Sequence, residues 1–274
     1  MLEVLQEMFS YGFMVRAIVV GGFVSLCAAL LGVTLVLKKF SMIGDGLSHV
    51  GFGALAVASA FQMQPLYVAI PVVMLAAFLL LRISGNSAIN GDSAIALISS
   101  GSLAIGVIVT SVNGTNTDLS NYLFGSILAI SKTDEILCIV VSLVVIGIYV
   151  LFYHRIFALT FDENFARATG IRTQFYNIVI ALLTAITIVL GMRLMGTLLI
   201  SSLIIFPSIS AMRICKQFHW VVVMAALLSI FCFMAGMITS YCYELPSGAS
   251  VVLMNIVMLG ICSIIGRLLQ FTGV

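Results

Sequence analysis

Residues 17–37 have the sequence AIVVGGFVSLCAALLGVTLVL, in which no side chain is charged, and Lys38 and Lys39 follow directly. A helix of about 20 apolar residues is long enough to cross the hydrocarbon core of a bilayer. Glu3 and Glu7 stand where a secretory signal would carry basic residues, so we expect no cleavable signal. The stretch therefore predicts a retained transmembrane helix, over residues 14–37, that ends in a basic pair.

The composition of the whole chain agrees with this interpretation. Of its 274 residues, 62% are hydrophobic and 8% are charged, and the mean hydropathy is +1.25. Soluble domains contain about 25% charged residues, so this chain has too little polar surface for a water-soluble globule. A net charge of +2 is too small to suggest nucleic-acid binding.

Nine apolar stretches are long enough for transmembrane helices, and they use nearly the whole chain. We therefore predict an all-α, polytopic transmembrane helical bundle, formed as a single domain over residues 1–274. Eight spans are the alternative, because only a short turn at 192–194 separates two of the stretches. Residues 120–130 are apolar but too short to cross, and they predict a short helix at the outer interface. The nine stretches are residues 14–37, 44–62, 65–83, 93–111, 134–154, 175–192, 194–212, 219–242 and 248–269.

Lys and Arg are distributed unequally between the two sides of this arrangement. Nine lie on one side and three on the other, and the richer side is normally cytoplasmic. We therefore expect a multi-pass protein of the cell membrane with a cytoplasmic C-terminus and an external N-terminus. The richer side contains Lys38, Lys39, Arg82, Arg155, Arg167, Arg172, Arg213, Lys216 and Arg267, and the other contains Arg16, Lys132 and Arg193.

Residues 44–49, GDGLSH, place two ionisable side chains early in the second predicted span. Residues four apart lie on one face of a helix, and a carboxylate oxygen with an imidazole nitrogen suits zinc or manganese. This spacing predicts that Asp45 and His49 bind a metal ion. The alternative interpretation is that Asp45 caps the helix and His49 is an ordinary interior histidine. If neither bound metal, Ser201 and Asn255 would be the next polar positions to consider.

The longest interior polar stretch is residues 155–174, RIFALTFDENFARATGIRTQ. It mixes charged residues with apolar ones and predicts a short amphipathic helix capped by Gly170. Exposed apolar side chains flanked by charges are typical of a docking surface. The alternative is a plain connecting loop that packs on its own helices.

Motifs for nucleotide chemistry are missing from the sequence. The glycine spacing at residues 191–197 resembles a P-loop, but the lysine is absent and the segment is apolar. We therefore expect no catalytic residues and no bound cofactor in this chain, and any ATP hydrolysis would belong to a partner.

Taken in order, these segments resemble the ABC-3 family, the permeases of zinc, manganese and iron ABC importers. The 44–49 segment is similar to the family's Gly-Asp-x-Leu/Ile-Ser/Ala-His motif, and residues 122–128 resemble its Leu-Phe-Gly stretch. Residues 161–171 closely resemble its cytoplasmic coupling segment. Residues 196–211 and 244–248 are similar to two later motifs, so the agreement runs from about residue 14 to 265.

The resemblance implies a homodimeric permease that binds two cytoplasmic ABC ATPases and an extracellular or periplasmic metal-binding protein. It also implies that Asp45 and His49 lie on the path of the ion, Zn²⁺ or Mn²⁺. Because no Pro-Gly pair follows His49, we expect the zinc type. The residues that the resemblance assigns to ATPase coupling are Phe161, Asp162, Phe165, Arg167 and Gly170.

The expected function is therefore the permease subunit of an ATP-driven importer of a divalent transition metal. One alternative is a secondary metal transporter coupled to protons or sodium, with Asp45 as the coupling carboxylate. A second is a membrane-embedded enzyme that uses Asp45 and His49 as acid and base. The apparent coupling segment favours the importer, and the lack of a second intramembrane carboxylate counts against both alternatives.

Overall fold

The fold of the chain is given by a computed structural model, which describes residues 10–84, 91–113, 125 and 132–271. Every regular element in those ranges is a helix, which confirms the predicted all-α class. In chain order the helices are α1 (Gly12–Leu37), α2 (Ile43–Ala60), α3 (Pro65–Ser84), α4 (Gly91–Val112), α5 (Lys132–Leu151), α6 (Tyr153–Phe161), α7 (Glu163–Ala168), α8 (Thr173–Met195), α9 (Thr197–Ile214), α10 (Phe218–Tyr243) and α11 (Ser247–Phe271).

Each of the nine predicted spans coincides with one long helix, α1 to α5 or α8 to α11. Eight of these helices are long and apolar enough to cross a membrane. The ninth, α2, has 18 residues, and its apolar character is lowered by Asp45 and His49. The prediction of eight or nine spans is confirmed. The predicted interfacial helix at 120–130 lies outside the described residues except for Gly125.

The boundary between the spans at residues 175–192 and 194–212 differs from its prediction. The chain breaks at Gly196, which has φ of 87° and separates α8 from α9. Such a positive φ is readily adopted by glycine alone, so the break falls at Gly196 and the predicted turn at 192–194 is wrong by a few residues. Hydropathy alone does not locate this break, because the residues on both sides are apolar.

Ion pairs and close helix contacts show which helix ends lie together. Lys38, after α1, lies 3.8 Å from Glu163 at the start of α7. The end of α11 meets the end of α9, where Gly266 packs on the backbone of Arg213. The long helices alternate in direction, so all nine Lys and Arg residues of the richer group lie at the end of the bundle that contains these two contacts. This end is called the basic end. At the opposite end Arg193 of α8 pairs with Asp134 of α5, at 3.2 Å.

The centre of the bundle is formed by α1 and α8, most of whose residues are buried. By contrast, few residues of α4, α5 and α11 are buried, and their large exposed side chains are mainly aliphatic. A helix with an aliphatic outer surface fits contact with lipid, where its backbone is satisfied internally. Representative exposed residues are Leu97, Ile105, Ile108, Val140, Leu143, Leu253, Val257 and Ile264.

Two glycines permit backbone contact between neighbouring helices. A methyl group built on Gly32 of α1 would lie 2.1 Å from the carbonyl oxygen of Ile204 in α9. One built on Gly53 of α2 would lie 2.7 Å from the carbonyl oxygen of Ser102 in α4. Small residues allow membrane helices to approach this closely, so α1 packs directly on α9 and α2 directly on α4.

We predict that Gly32→Ala destabilises the folded protein by about 1–3 kcal/mol, because the added methyl group pushes α1 away from the α9 backbone. Gly22→Ala, in the same helix, is the matched control, since nothing lies within 4 Å of a methyl group at that position. Thermal unfolding of the detergent-solubilised protein measures the difference. Equal melting temperatures for the two variants would contradict the described α1–α9 contact.

Candidate functional site

The first half of α2 packs between α4 and α9. A methyl group built on Gly46 would lie 2.5 Å from Cγ2 of Ile95 in α4, and one on Gly44 would lie 3.1 Å from Cδ1 of Ile204 in α9. Ile43, Gly44, Gly46, Leu47, Ser48 and Val50 are all buried. The two ionisable residues of this half are less enclosed: 45% of the Asp45 side chain and 21% of the His49 side chain are exposed.

Asp45 and His49 contact each other across one helical turn. The His49 Nε2 atom lies 3.6 Å from the Asp45 Oδ2 atom, so the two side chains point the same way, as their spacing predicts. The other imidazole nitrogen, Nδ1, is buried and has no hydrogen-bond partner. The pair thus places a partly exposed carboxylate beside an imidazole on a helix whose other residues are mostly buried.

The structure does not support the alternative in which Asp45 caps α2. Met42 occupies the N-cap position, and no side chain makes a capping hydrogen bond there. Asp45 instead lies in the first turn, where a negative charge is favoured by the helix dipole. The carboxylate therefore has no capping role to account for its place in an apolar bundle.

The ligand set available from one chain is small. Within the described ranges, no group of three or more His, Cys, Asp or Glu side chains is placed to hold a metal ion. A carboxylate oxygen and an imidazole nitrogen are suitable ligands for zinc and manganese. A single copy thus offers two ligands, fewer than the four that a tetrahedral site requires.

Ser201 lies beside the Asp45 segment. Its Cα atom is 3.8 Å from a methyl group built on Gly44, and its Oγ atom is buried without a hydrogen-bond partner. The Oδ1 atom of Asn255 is also buried and unpartnered, but Asn255 belongs to α11, which packs chiefly on α9 and α10. Of the two further polar positions named from the sequence, Ser201 is the one placed against α2.

The polar stretch 155–174 forms two short helices, whereas the sequence predicted one. Asp162 separates α6 from α7 and caps α7: its Oδ1 atom accepts 2.9 Å hydrogen bonds from the backbone N–H groups of Asn164 and Phe165. The first of the two helices, α6, was not predicted separately because its residues continue the apolar pattern of the preceding span. The assigned coupling residue Asp162 is thus the N-cap that fixes where α7 begins.

The other end of α7 confirms the predicted role of Gly170. Gly170 has φ of 86°, its N–H donates to the Arg167 carbonyl, and the Ile171 N–H donates to the Ala166 carbonyl. This pair of bonds is the Schellman motif, which satisfies the last carbonyls of a helix. With both ends capped, α7 is a well-defined structural unit although it has only six residues.

The outward side of α6 and α7 exposes large apolar groups at the basic end. Phe165 is 64% exposed and Phe161 is similarly exposed, while Arg167 extends beside them. Phe161 and Phe157 stack on the buried Phe218 of α10, at centroid distances of 5.7 and 5.2 Å. The aromatic surface is therefore held in place by the bundle, and its role in docking a partner stays a prediction.

The inward side of α7 carries a polar network that the sequence did not predict. The Glu163 carboxylate lies 3.8 Å from the ammonium group of Lys38 and accepts a 3.1 Å hydrogen bond from Asn177 of α8. Lys38 also donates to the Asn177 side-chain oxygen. Only 13% of the Lys38 side chain is exposed; burial lowers the pKa of Lys38, and the nearby Glu163 partly opposes that effect.

Gly125 is the described residue of the Leu-Phe-Gly stretch, and it lies at the end opposite to the basic end. It has φ of 71°, and a methyl group built on it would lie 2.3 Å from the carbonyl carbon of Met195 and 2.4 Å from the nitrogen of Gly196. The backbone of Gly125 thus packs on the turn between α8 and α9. This close approach explains why the motif contains glycine at this position.

Comparisons with known proteins agree with this arrangement. The family model described as the ABC 3 transport family matches residues 10–266. The manganese import system permease protein ScaB of Streptococcus gordonii is 28% identical over 251 residues, which are 92% of this chain and 90% of that protein. The high-affinity zinc uptake system membrane protein ZnuB of Haemophilus influenzae is 30% identical over 238 residues, or 86% and 91% of the two chains.

A solved structure shares the fold over almost the full length. PsaBC from Streptococcus pneumoniae, determined in complex with Fab, superposes with a TM-score of 0.84 and 27% sequence identity, covering 95% of this chain and 94% of that one. The residues matched by the family model, 10–266, include the segment with Asp45 and His49 as well as the one that forms α6 and α7. The protein is therefore a multi-pass membrane permease that belongs to the ABC 3 transport family.

Proposed function

We propose that this chain is the permease subunit of an ABC importer that carries a divalent transition metal ion into the cell. Membership of the ABC 3 transport family indicates the class of transporter. The observation that supports a divalent metal ion as the substrate is the Asp45–His49 pair, which places a carboxylate beside an imidazole on a mostly buried helix. Relatives named as import and uptake systems for manganese and zinc support both the direction of transport and the class of ion.

A homodimer would complete the ion site. Asp45 is nearly half exposed in a single chain, and a charged side chain within a membrane span is costly where it faces lipid without a partner. Covering this side chain with a second copy removes the charge from lipid. Two copies related by a two-fold axis contribute two carboxylates and two imidazoles, which are four ligands of the type that zinc and manganese accept.

The ATPase subunits would bind at the basic end, on the exposed side of α6 and α7. Phe161 and Phe165 offer apolar groups to a partner, and Arg167 adds a charge at the rim of that surface. Hydrolysis of ATP then belongs to the partner, and this chain acts as a transport subunit without catalytic residues. The metal-binding protein would deliver the ion at the opposite end, where Gly125 packs on the turn between α8 and α9.

In this mechanism the ion exchanges its water ligands for Asp45 and His49 of both copies. The ATPases close on binding ATP and move α7, and the helices switch between outward and inward access. A site built from carboxylates and imidazoles, without thiolates, holds the ion loosely enough for release. A secondary transporter would need no ATPase, so import that continues without ATP would favour that alternative.

The choice between zinc and manganese stays a prediction. We expect zinc, since no Pro-Gly pair follows His49, although relatives named for both metals share similar identity with this chain. Uptake of radioactive zinc and manganese under identical conditions separates the two, and preferential import of manganese would contradict the zinc prediction.

The first prediction of this function concerns orientation. Because the nine Lys and Arg residues of the richer group lie at one end of the bundle, residues 155–174 and the C-terminus should be cytoplasmic. In a variant whose six native cysteines are replaced by serine, single cysteines introduced at Thr160 and Arg172 should react with a membrane-impermeant reagent only after the cells are opened. Labelling of these positions in intact cells would contradict the predicted orientation.

The second prediction concerns the ion. Asp45→Asn keeps the side-chain shape and removes the charge, and His49→Ala removes the nitrogen ligand. Loss of even an outer-shell partner of a metal ligand costs about 10–100-fold, so each variant should lower the uptake rate at least tenfold with normal membrane abundance. Uptake of radioactive metal into proteoliposomes with the assembled transporter measures this.

His219→Ala is the control for the ion prediction, because His219 is exposed near the start of α10 at the basic end. It should import at the wild-type rate. Wild-type uptake rates for both Asp45→Asn and His49→Ala would show that these residues do not lie on the ion path. Ser201 would then be the next position to test.

The third prediction concerns ATPase coupling. Phe165→Ala combined with Arg167→Glu removes an apolar contact and reverses a charge on the exposed side of α7, so substrate-stimulated ATP hydrolysis should be lost while the permease stays folded. Trp220→Ala removes an exposed aromatic residue at the same end of the bundle but outside the segment, and it should retain stimulation. Normal stimulation in the Phe165/Arg167 variant would mean that the segment is only a connector.

A further inference from the structure

The inward side of α7 is joined to two other helices through one carboxylate. Glu163, the first residue of α7, contacts Lys38 at 3.8 Å and Asn177 at 3.1 Å, and Lys38 also donates to Asn177. Each of the three side chains therefore contacts the other two. Together they connect α7 to the end of α1 and the start of α8.

A short, hydrogen-bonded segment leads from Lys38 to the ion-binding pair. The Phe40 N–H donates to the Leu35 carbonyl at 2.9 Å, which closes the end of α1. The Ile43 N–H then donates to the Phe40 carbonyl at 3.1 Å, and α2 begins. Asp45 is the third residue of α2, so only six residues separate Lys38 from it. Since the turn is held by its own hydrogen bonds, displacement of Lys38 is passed on to the first turn of α2.

Space for such a displacement exists on the inner side of the network. A cavity of about 340 Å³ is lined by Lys38, Glu163 and Asn177 together with Phe40 and Ile43. The first residue of α2 and the first residue of α7 thus border the same open volume. Tight packing resists relative movement of helices, and this half-open pocket leaves space beside the segment between α1 and α2.

Glu163 also contacts the exposed side of α7. It lies 3.6 Å from Arg167, one turn further along the helix. Glu163 therefore connects the surface proposed for ATPase binding with the buried Lys38. The capping bonds at both ends of α7 make it a unit that moves without unwinding.

We infer that the Lys38–Glu163–Asn177 contact is the positioning link through which movement of α7 reaches the start of α2, and with it Asp45 and His49. This inference rests on the proposed function, because it assumes that an ATPase moves α7 and that a metal ion binds to α2. The three residues touch neither ATP nor the ion. Their role is to couple the movement of α7 to the movement of the start of α2.

Removal of the link should uncouple ATP hydrolysis from transport. In the complex with its ATPase and metal-binding protein, reconstituted in proteoliposomes, Lys38→Met and Glu163→Gln should each raise the number of ATP molecules hydrolysed per ion imported by about fivefold or more. Binding of the ATPase should persist, because the exposed aromatic surface is unchanged. Lys39→Met, the same substitution at the exposed neighbour of Lys38, is the matched control and should keep the wild-type ratio.

The double variant Lys38→Met/Glu163→Gln separates coupling from stability. Glu163→Gln alone leaves the buried Lys38 ammonium group without its opposite charge and lowers the melting temperature, whereas the double variant removes both charges. We expect the double variant to recover most of the melting temperature while its ATP-to-ion ratio stays raised. A wild-type ratio in the double variant would overturn the inference and leave the pair with a structural role. Failure of the proposed function would be visible separately, as absence of ATP-driven import by the wild-type complex.

Discussion

A charged group inside an apolar bundle needs an opposite charge, a hydrogen-bond partner or an ion, and this requirement governs where the polar residues of the protein lie. Lys38 is buried and meets Glu163 and Asn177, and Arg193 meets Asp134. Asp45 differs, because its only ion-pair contact in the described part of the chain is with His49, a residue that is neutral unless protonated. The proposed ion site is thus one place where the protein leaves compensation incomplete, and a transported cation and a second copy would supply the rest.

The features determined by local sequence were predicted well. Each span follows from an apolar run, since a chain in lipid has little alternative to a helix. The shared direction of Asp45 and His49 follows from helical periodicity, and the cap at Gly170 follows from the conformational freedom of glycine. The break at Gly196 was misplaced because apolar residues continue on both sides of it, and α6 was missed for the same reason.

The features determined by tertiary contact were not predictable from this sequence alone. Lys38 was assigned to a basic pair at a membrane surface, yet its side chain is buried against Glu163 and Asn177, which lie more than a hundred residues away along the chain. No periodicity connects such positions. The one available signal was the presence of a carboxylate and an amide near the basic end, and it does not identify which of the nearby lysines or arginines they contact. The capping role of Asp162 was likewise detectable in principle, since aspartate followed by a short helix is a common N-cap pattern.

The glycine contacts of the bundle divide it into parts that differ in stiffness. Gly32 brings the backbones of α1 and α9 together, and Gly53 does the same for α2 and α4. A methyl group built on Gly44 of α2 would lie 3.1 Å from Cδ1 of Ile204 and 3.8 Å from the Cα atom of Ser201 in α9, and one built on Gly51 would lie 2.3 Å from the methyl group of Met192 in α8. Flexible side chains change rotamer at little cost, whereas backbones in contact have no such freedom. The helix α2, which contains Asp45 and His49, is therefore held more rigidly against α4 than against α9 and α8.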